Sequence, residues 1–361
     1  MGPSQYFSAS YAEARQKFRD AATTAGARVF AESNERAKGP AGEALATDLA
    51  WLGPADAKRV LVTVSATHGA EGFCGSGVQT GTFLSGAASE LSHGTALLAV
   101  HAINPYGFAW VRRVTEDNVD LNRNFITFRS PLPRNEGYAL LADAICPAEW
   151  TPAGLAAAKA RLDAFGASHG AAALQRAITS GQYSHADGVF YGGEAPVWSH
   201  RMILAVAKRH LAHVERVAVI DYHTGLGPYG HGERIVTHAP ASAGFGRAQQ
   251  WYGDNITSTS LGTSRSSEIS GDLLQGLEDA LPHAEVTTMA LEYGVRPLDE
   301  TIDAVRADNW LHTRGRLDSA QGRDIKAMIR ATFYGDADDW KDMIFEQAIE
   351  AQRRALRGLA G

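Results

Sequence analysis

The chain has 361 residues, 45% of them hydrophobic and 20% charged, and a net charge of −6 at pH 7. That length buries a sizeable core, while the acidic balance and the lack of any basic block argue against a nucleic-acid partner. No run approaches the ~18 apolar residues of a membrane span, and two cysteines, Cys74 and Cys146, make neither a disulfide framework nor a cysteine-rich zinc site.

The N-terminal stretch MGPSQYFSASYAEARQKF lacks the basic start and apolar core of a signal peptide, so a reducing cytoplasm is the expected compartment. Residues 8–36 then carry Ala, Arg and Phe at helical spacing and predict one or two amphipathic helices. Four apolar runs predict strands: RVLVTVSAT (59–67), TALLAVHAIN (95–104), RVAVIDYH (216–223) and VTTMALEYG (286–294). Each is continuously apolar rather than alternating, the pattern of strands covered on both faces. Helical stretches fall between and after them, at 76–92, 136–146, 152–178, 197–213 and 300–316, with an amphipathic tail over 322–358. The layout is α/β, a mixed, mainly parallel sheet between helices, in which ligands bind at the carboxyl ends of strands. No linker divides the chain, so 1–361 is expected to be a single domain with helical extensions at both ends.

Chemistry-bearing residues gather at those four ends. His68 and Glu71 follow the first strand in SATHGAEGFCGSG. Asn104-Pro105 and then WVRRVTEDNVDLNRNF (110–125) follow the second. His223 ends the third and Glu292 the fourth. A single His or Glu at a strand end is usually a hydrogen-bonded or solvated residue. The joint placement is what points to a site. A catalytic zinc takes three protein ligands and leaves a position open. His68, Glu71 and His223 supply two imidazoles and a carboxylate, and Gly69 and Gly72 would permit an unusual turn between the first two. Glu292 is then the candidate general base. Arg112, Arg113 and Arg123 are candidate cations for a developing oxyanion and for a substrate carboxylate. Their bland alternative is pairing with the interleaved Glu116, Asp117 and Asp120. Asp120 is also a candidate support for Arg123 or a ligand histidine.

These residues resemble the zinc carboxypeptidase superfamily, which includes the aspartoacylase and succinylglutamate desuccinylase deacylases. The resemblance is carried by His68-Gly-Ala-Glu71, the phrase NPYGFAWVRRVTEDNVDLNRNF, His223 and Glu292, and is closest to a bacterial carboxypeptidase-like branch. It implies one zinc per chain on His68, Glu71 and His223, with Glu292 as the base. It implies Arg113 polarising the scissile carbonyl, with Arg112 the alternative. Asn122 and Arg123 would hold a substrate carboxylate. The implied activity is hydrolysis of an amide bond in a small or peptide-like substrate. A metallo-carboxypeptidase, an N-acyl amino acid deacylase and a non-catalytic binding protein on the same fold are the three readings. All the ligands and the base are present, which ranks the last below the others. Oligomeric state is left open.

Several features depart from that pattern or compete with it. The loop tyrosine of the secreted digestive carboxypeptidases has no clear counterpart, Tyr229 and Tyr252 being guesses. GQYSHADGVFYGGEAPVWSH (181–200) is unmatched and reads as a pocket wall or lid, with His185 and Asp187 a remote second-metal option. GASHG (166–170) fits a serine-hydrolase elbow, but follows alanine-rich helical sequence where that motif needs a strand, so Ser168 reads as a turn residue. Cys74 reads as a small buried residue at a helix start.

Overall fold

Residues 2–361 are described here from a computed structural model. They form an eight-stranded sheet: β1 (Arg28–Lys38), β2 (Ala44–Leu52), β3 (Arg59–Val64), β4 (Thr95–His101), β5 (Arg216–Tyr229), β6 (Gly232–Ile235), β7 (Ile256–Thr257) and β8 (Glu285–Gly294), in the order β1-β2-β4-β3-β5-β8-β6-β7. The four apolar runs are the four adjacent central strands, and they are mutually parallel: β4 pairs with β3, β3 with β5 and β5 with β8. The antiparallel β1–β2 ribbon extends one edge, and β6 turns back antiparallel on β8.

The helices are α1 (Tyr11–Thr24), α2 (Gly72–Leu84), α3 (Pro105–Trp110), α4 (Glu136–Ile145), α5 (Pro152–His169), α6 (Ala171–Thr179), α7 (Trp198–Leu211), α8 (Ala243–Tyr252), α9 (Leu273–Ala280), α10 (Leu298–Thr313), α11 (Ala320–Phe333) and α12 (Asp338–Ala360). They cover both sheet faces, as continuously apolar strands require. Phe18, Phe73, Val78, Trp340 and Ile344 from α1, α2 and α12 pack with Leu61, Ile220 and Leu291 on one face. Ile203, Val206, Leu274 and Leu277 from α7 and α9 pack with Val62, Val100 and Val219 on the other. A third cluster ties α4, α5 and α6 to α10 and α11 through Tyr138, Leu141, Ile178, Val305 and Phe333. No described helix is long and apolar enough to cross a membrane.

The structure corrects several expectations. Residues 28–36, read as helix, belong to β1. RVFAESNERAK is an edge strand in which only Asn34 is fully buried, and its polar residues imitate a solvated helix. The helical stretch 152–178 breaks at Gly170, whose φ of 89° ends α5 and restarts the chain as α6. The tail likewise divides into α11 and α12.

Candidate metal centre

The parallel register sets His223 on β5 beside Glu292 on β8, and β3 ends on the other side of β5, with Val64 opposite Asp221. The chain leaves β3 through Ser65–Thr67, and a 3-10 turn over Gly69–Glu71 leads into α2. Gly69 and Gly72 are needed for space rather than for unusual backbone angles. A Cβ on Gly69 would lie 1.9 Å from the Gly107 carbonyl carbon, and one on Gly72 would meet the Phe108 ring at 2.6 Å. The turn is therefore pressed against α3.

NPYGFAW explains that contact. Asn104 caps α3 by accepting from Gly107 N–H at 2.9 Å, and Pro105 occupies the first turn, where its missing N–H costs nothing. Val111, in the left-handed region at φ 50°, ends the helix. The carbonyls of Arg112 and Arg113 then accept the N–H groups of Ala70 and Gly69, at 2.7 and 3.2 Å. Ligand turn and arginine segment are thus joined by backbone.

Ligand atoms of His68, Glu71 and His223 lie within 4.8 Å of one another, all three residues buried. No other His, Cys, Asp or Glu group among the described residues is arranged this way. His68 Nδ1 is 2.9 Å from Glu71 Oε1, and His223 Nδ1 is 3.0 Å from Glu71 Oε2. The far ring nitrogens face buried carboxylates: His68 Nε2 is 3.1 Å from Asp120 Oδ1, and His223 Nε2 is 2.6 Å from Asp221 Oδ2. A carboxylate at Nε2 keeps the proton there and leaves the Nδ1 lone pair free. Two such lone pairs about 3 Å from carboxylate oxygens repel unless a cation or a proton lies between them. The donor set therefore fits a divalent metal. Burial pushes Glu71 up, but His68 and His223 outweigh it and hold the carboxyl well below the usual range. Burial pushes His223 down, and Asp221 and Glu71 outweigh that, raising it well above the ordinary imidazole value.

Glu292 faces the same cavity, its Oε1 accepting from Leu226 N–H at 3.0 Å. Burial, with the Glu71 charge, pushes its pKa up to about 8. Arg113 donates from Nε to Asp120 Oδ2 at 2.8 Å and from Nη1 to Glu71 Oε1 at 3.4 Å, and lines the cavity. Arg112 does not. It turns away to Asp308 Oδ2 at 3.1 Å and Asn118 Oδ1 at 3.1 Å. Asn122 and Arg123 both line the cavity. Arg123 donates to the Asn122 and Thr179 carbonyls, while its Nε is buried without a partner. Of the interleaved acids only Asp120 pairs with the arginines. Glu116 accepts from Asn34, and Asp117 from Arg36.

The cavity measures about 430 Å3. Stretch 181–200 contributes Phe190, whose ring centre lies 5.1 Å from the Arg113 guanidinium and 5.6 Å from that of Arg123. Phe190 sits at φ 55°, a conformation a bulky residue adopts only under constraint. His185 bonds to Ser184 and Asp187 to Arg314. Tyr229 is exposed and bonded to Asp339, Tyr252 is buried, and neither lines the cavity. Ser168 lies inside α5 with its hydroxyl on the Ala164 carbonyl, so the elbow motif has no strand before it. Cys74 is buried in α2, and burial followed by the charges of Glu71 and Glu292 pushes its thiol up. Asp221 escaped the sequence reading. The signal was its place two residues before His223, on the same face of one strand.

The fold and site define an α/β chain with a candidate His-Glu-His metal centre at the carboxyl ends of its parallel strands. The chain belongs to the family described as "Protein of unknown function (DUF2817)", which it matches over residues 7–347. No curated protein matches it. Among solved structures it is similar to a carboxypeptidase A from Helicoverpa armigera, at 12% identity and TM-score 0.47, covering 90% of this chain and 73% of that one. It is also similar to a succinylglutamate desuccinylase from Chromobacterium violaceum, at 14% identity and TM-score 0.38, covering 88% and 73%. An aspartoacylase family protein from Mesorhizobium loti matches at 14% identity and TM-score 0.39, covering 79% and 66%.

Proposed function

We propose that the chain is a zinc-dependent hydrolase that cleaves an amide bond in a carboxylate-bearing substrate, in the manner of a carboxypeptidase. One observation carries this: two histidines, each braced by its own buried carboxylate, and Glu71 converge on one point, with Glu292, Arg113 and Arg123 lining the same cavity. Zinc held by His68, Glu71 and His223 would supply Lewis acidity and lower the pKa of water. Glu292 takes the proton from the attacking water and returns it to the leaving nitrogen. Arg113, fixed by Asp120, meets the negative charge that develops on the carbonyl oxygen. Arg123, with an unpartnered Nε, binds the substrate carboxylate, and Asn122 lies beside it. Of the two adjacent arginines, Arg113 is the one assigned, because Arg112 is committed to Asp308.

Deacylation of an N-acyl amino acid is the second reading. It is favoured by the cavity, whose volume of about 430 Å3 is enough for a small molecule of that class in its entirety. Metal analysis together with a screen of N-acyl amino acids and short peptides, read by released amine, tests both. About one zinc per chain, lost in His68→Ala, is expected. Carefully prepared protein with no stoichiometric metal would sink both readings.

A further inference from the structure

Glu233 on β6 stands directly opposite Glu292 on β8 in the antiparallel register. Residues opposed in this way stand side by side on one face of the sheet. The next pair on that face, Ile235 and Ala290, lines the cavity. Glu233 thus shares the face of Glu292 yet does not line the cavity, because the segment 257–265 binds to it. Its Oε1 accepts from the Thr257 hydroxyl at 2.8 Å and from the Arg265 backbone N–H at 3.1 Å. Only 7% of the residue is exposed, and its Oε2 is buried without a partner.

A half-satisfied buried carboxylate is unfavourable in itself. What it provides here is one oxygen that holds both ends of a loop. Between and just beyond those two attachment points lie Thr259, Ser260, Ser266 and Ser267, which line the cavity. Beyond Glu233, the Val236 N–H donates to the Thr257 carbonyl at 2.8 Å, the Thr179 hydroxyl to Ser267 Oγ at 3.0 Å and the Gln175 amide to the Arg265 carbonyl at 3.5 Å. β7 is only the residues Ile256–Thr257, paired with Arg234 and Ile235 of β6.

We propose that Glu233 is a positioning residue that seats the hydroxyl-lined wall, residues 257–270, over the strand pair carrying Glu292, so that the wall determines how tightly substrate binds. The kinetic part of this proposal rests on the proposed hydrolase function; the structural part does not. Glu233 touches neither the candidate metal ligands nor the cavity, so its effect should reach KM and leave kcat and metal content alone.

The test compares Glu233→Ala, Glu233→Gln and Thr257→Val in the zinc-loaded full chain, by hydrogen exchange and by steady-state kinetics. In Glu233→Ala, amide exchange over 257–267 should accelerate at least about tenfold, as expected for loss of two bonds to one acceptor oxygen. The amides of 288–293 should keep their protection. KM should rise about tenfold with kcat within about twofold and zinc unchanged. Glu233→Gln keeps an acceptor oxygen and should restore both values towards wild type. Thr257→Val removes one donor without disturbing the carboxylate and should give an intermediate effect, which also decides the matter if Glu233→Ala does not fold. Unchanged exchange over 257–267 would overturn the proposal, as would acceleration spread over the whole chain or a fall in kcat at constant KM. If no substrate is turned over, the hydrolase reading fails, and the exchange result alone decides the role of Glu233.

Discussion

Replacing Asp221 should weaken metal binding although Asp221 is not itself a ligand. Its Oδ2 lies 2.6 Å from His223 Nε2, and its two oxygens accept from the Thr67 hydroxyl at 2.8 and 3.0 Å. The carboxylate is buried at the wall of the cavity. Asp221→Ala removes three constraints at once: the proton's assignment to Nε2, the ring's orientation and the charge that makes the imidazole a better donor. The first is small, because two equally populated tautomers cost only about a factor of two. Orientation and basicity carry more, and supports of this type typically contribute about 10–100-fold in metal affinity, or about 1.4–2.8 kcal/mol. Thr67→Val, which keeps the carboxylate, should cost far less. The assay is competitive zinc titration against a chromophoric chelator. The effect should shrink as pH falls through the neutral range. Asp221 also raises the proton affinity of His223, so wild type suffers more proton competition there and the variant less. Affinity of Asp221→Ala within about threefold of wild type at neutral pH would refute the bracing argument.

Other perturbations separate the remaining roles. Glu292→Gln should retain zinc while turnover falls by at least about two orders of magnitude, and normal turnover would remove Glu292 as the base. In metal-stripped protein the same variant should melt above wild type at alkaline pH. The folded pKa of about 8 exceeds the ordinary 4.5, so wild type loses stability as pH rises between those values, and Gln has no such proton to lose. Melting curves with no crossover towards equality below about pH 4.5 would contradict that sign. Arg123→Ala should raise KM for carboxylate substrates by roughly 10–100-fold, and Arg113→Ala should lower kcat by about 100-fold or more, read by steady-state kinetics. Ser168→Ala, on an exposed turn of α5, should leave activity intact and change stability by no more than about 0.5 kcal/mol in thermal melts.

The central strands were legible because they are covered on both faces, so the apolar run alone marks them. β1 was not, since an edge strand buries too little to leave a pattern. β2, ALATDLAWL, is built of Ala and Leu, which also suit helices. The short β6 and β7 carry no periodicity at all. In the site, His68, Glu71, His223 and Glu292 could be read from their places at strand ends. The choice between Arg112 and Arg113 could not, because it depends on the left-handed turn at Val111, which no propensity reveals. Asp221 hid inside an apolar strand, and Phe190 in a loop without regular spacing. Their roles come from what lies across the fold from them.

The close contact at Gly69 ties two parts of the candidate site together. One added carbon there would part the turn bearing His68 and Glu71 from the segment bearing Arg113. The turn and the arginine segment are therefore cast as a single piece, so that a displacement of one carries the other with it. The wall over 257–270 is held differently, by Glu233, by the two-residue β7 and by bonds from Thr179 and Gln175 of α6. On the proposed function, variants of that wall would change substrate choice with His68, Glu71 and Arg113 left in place.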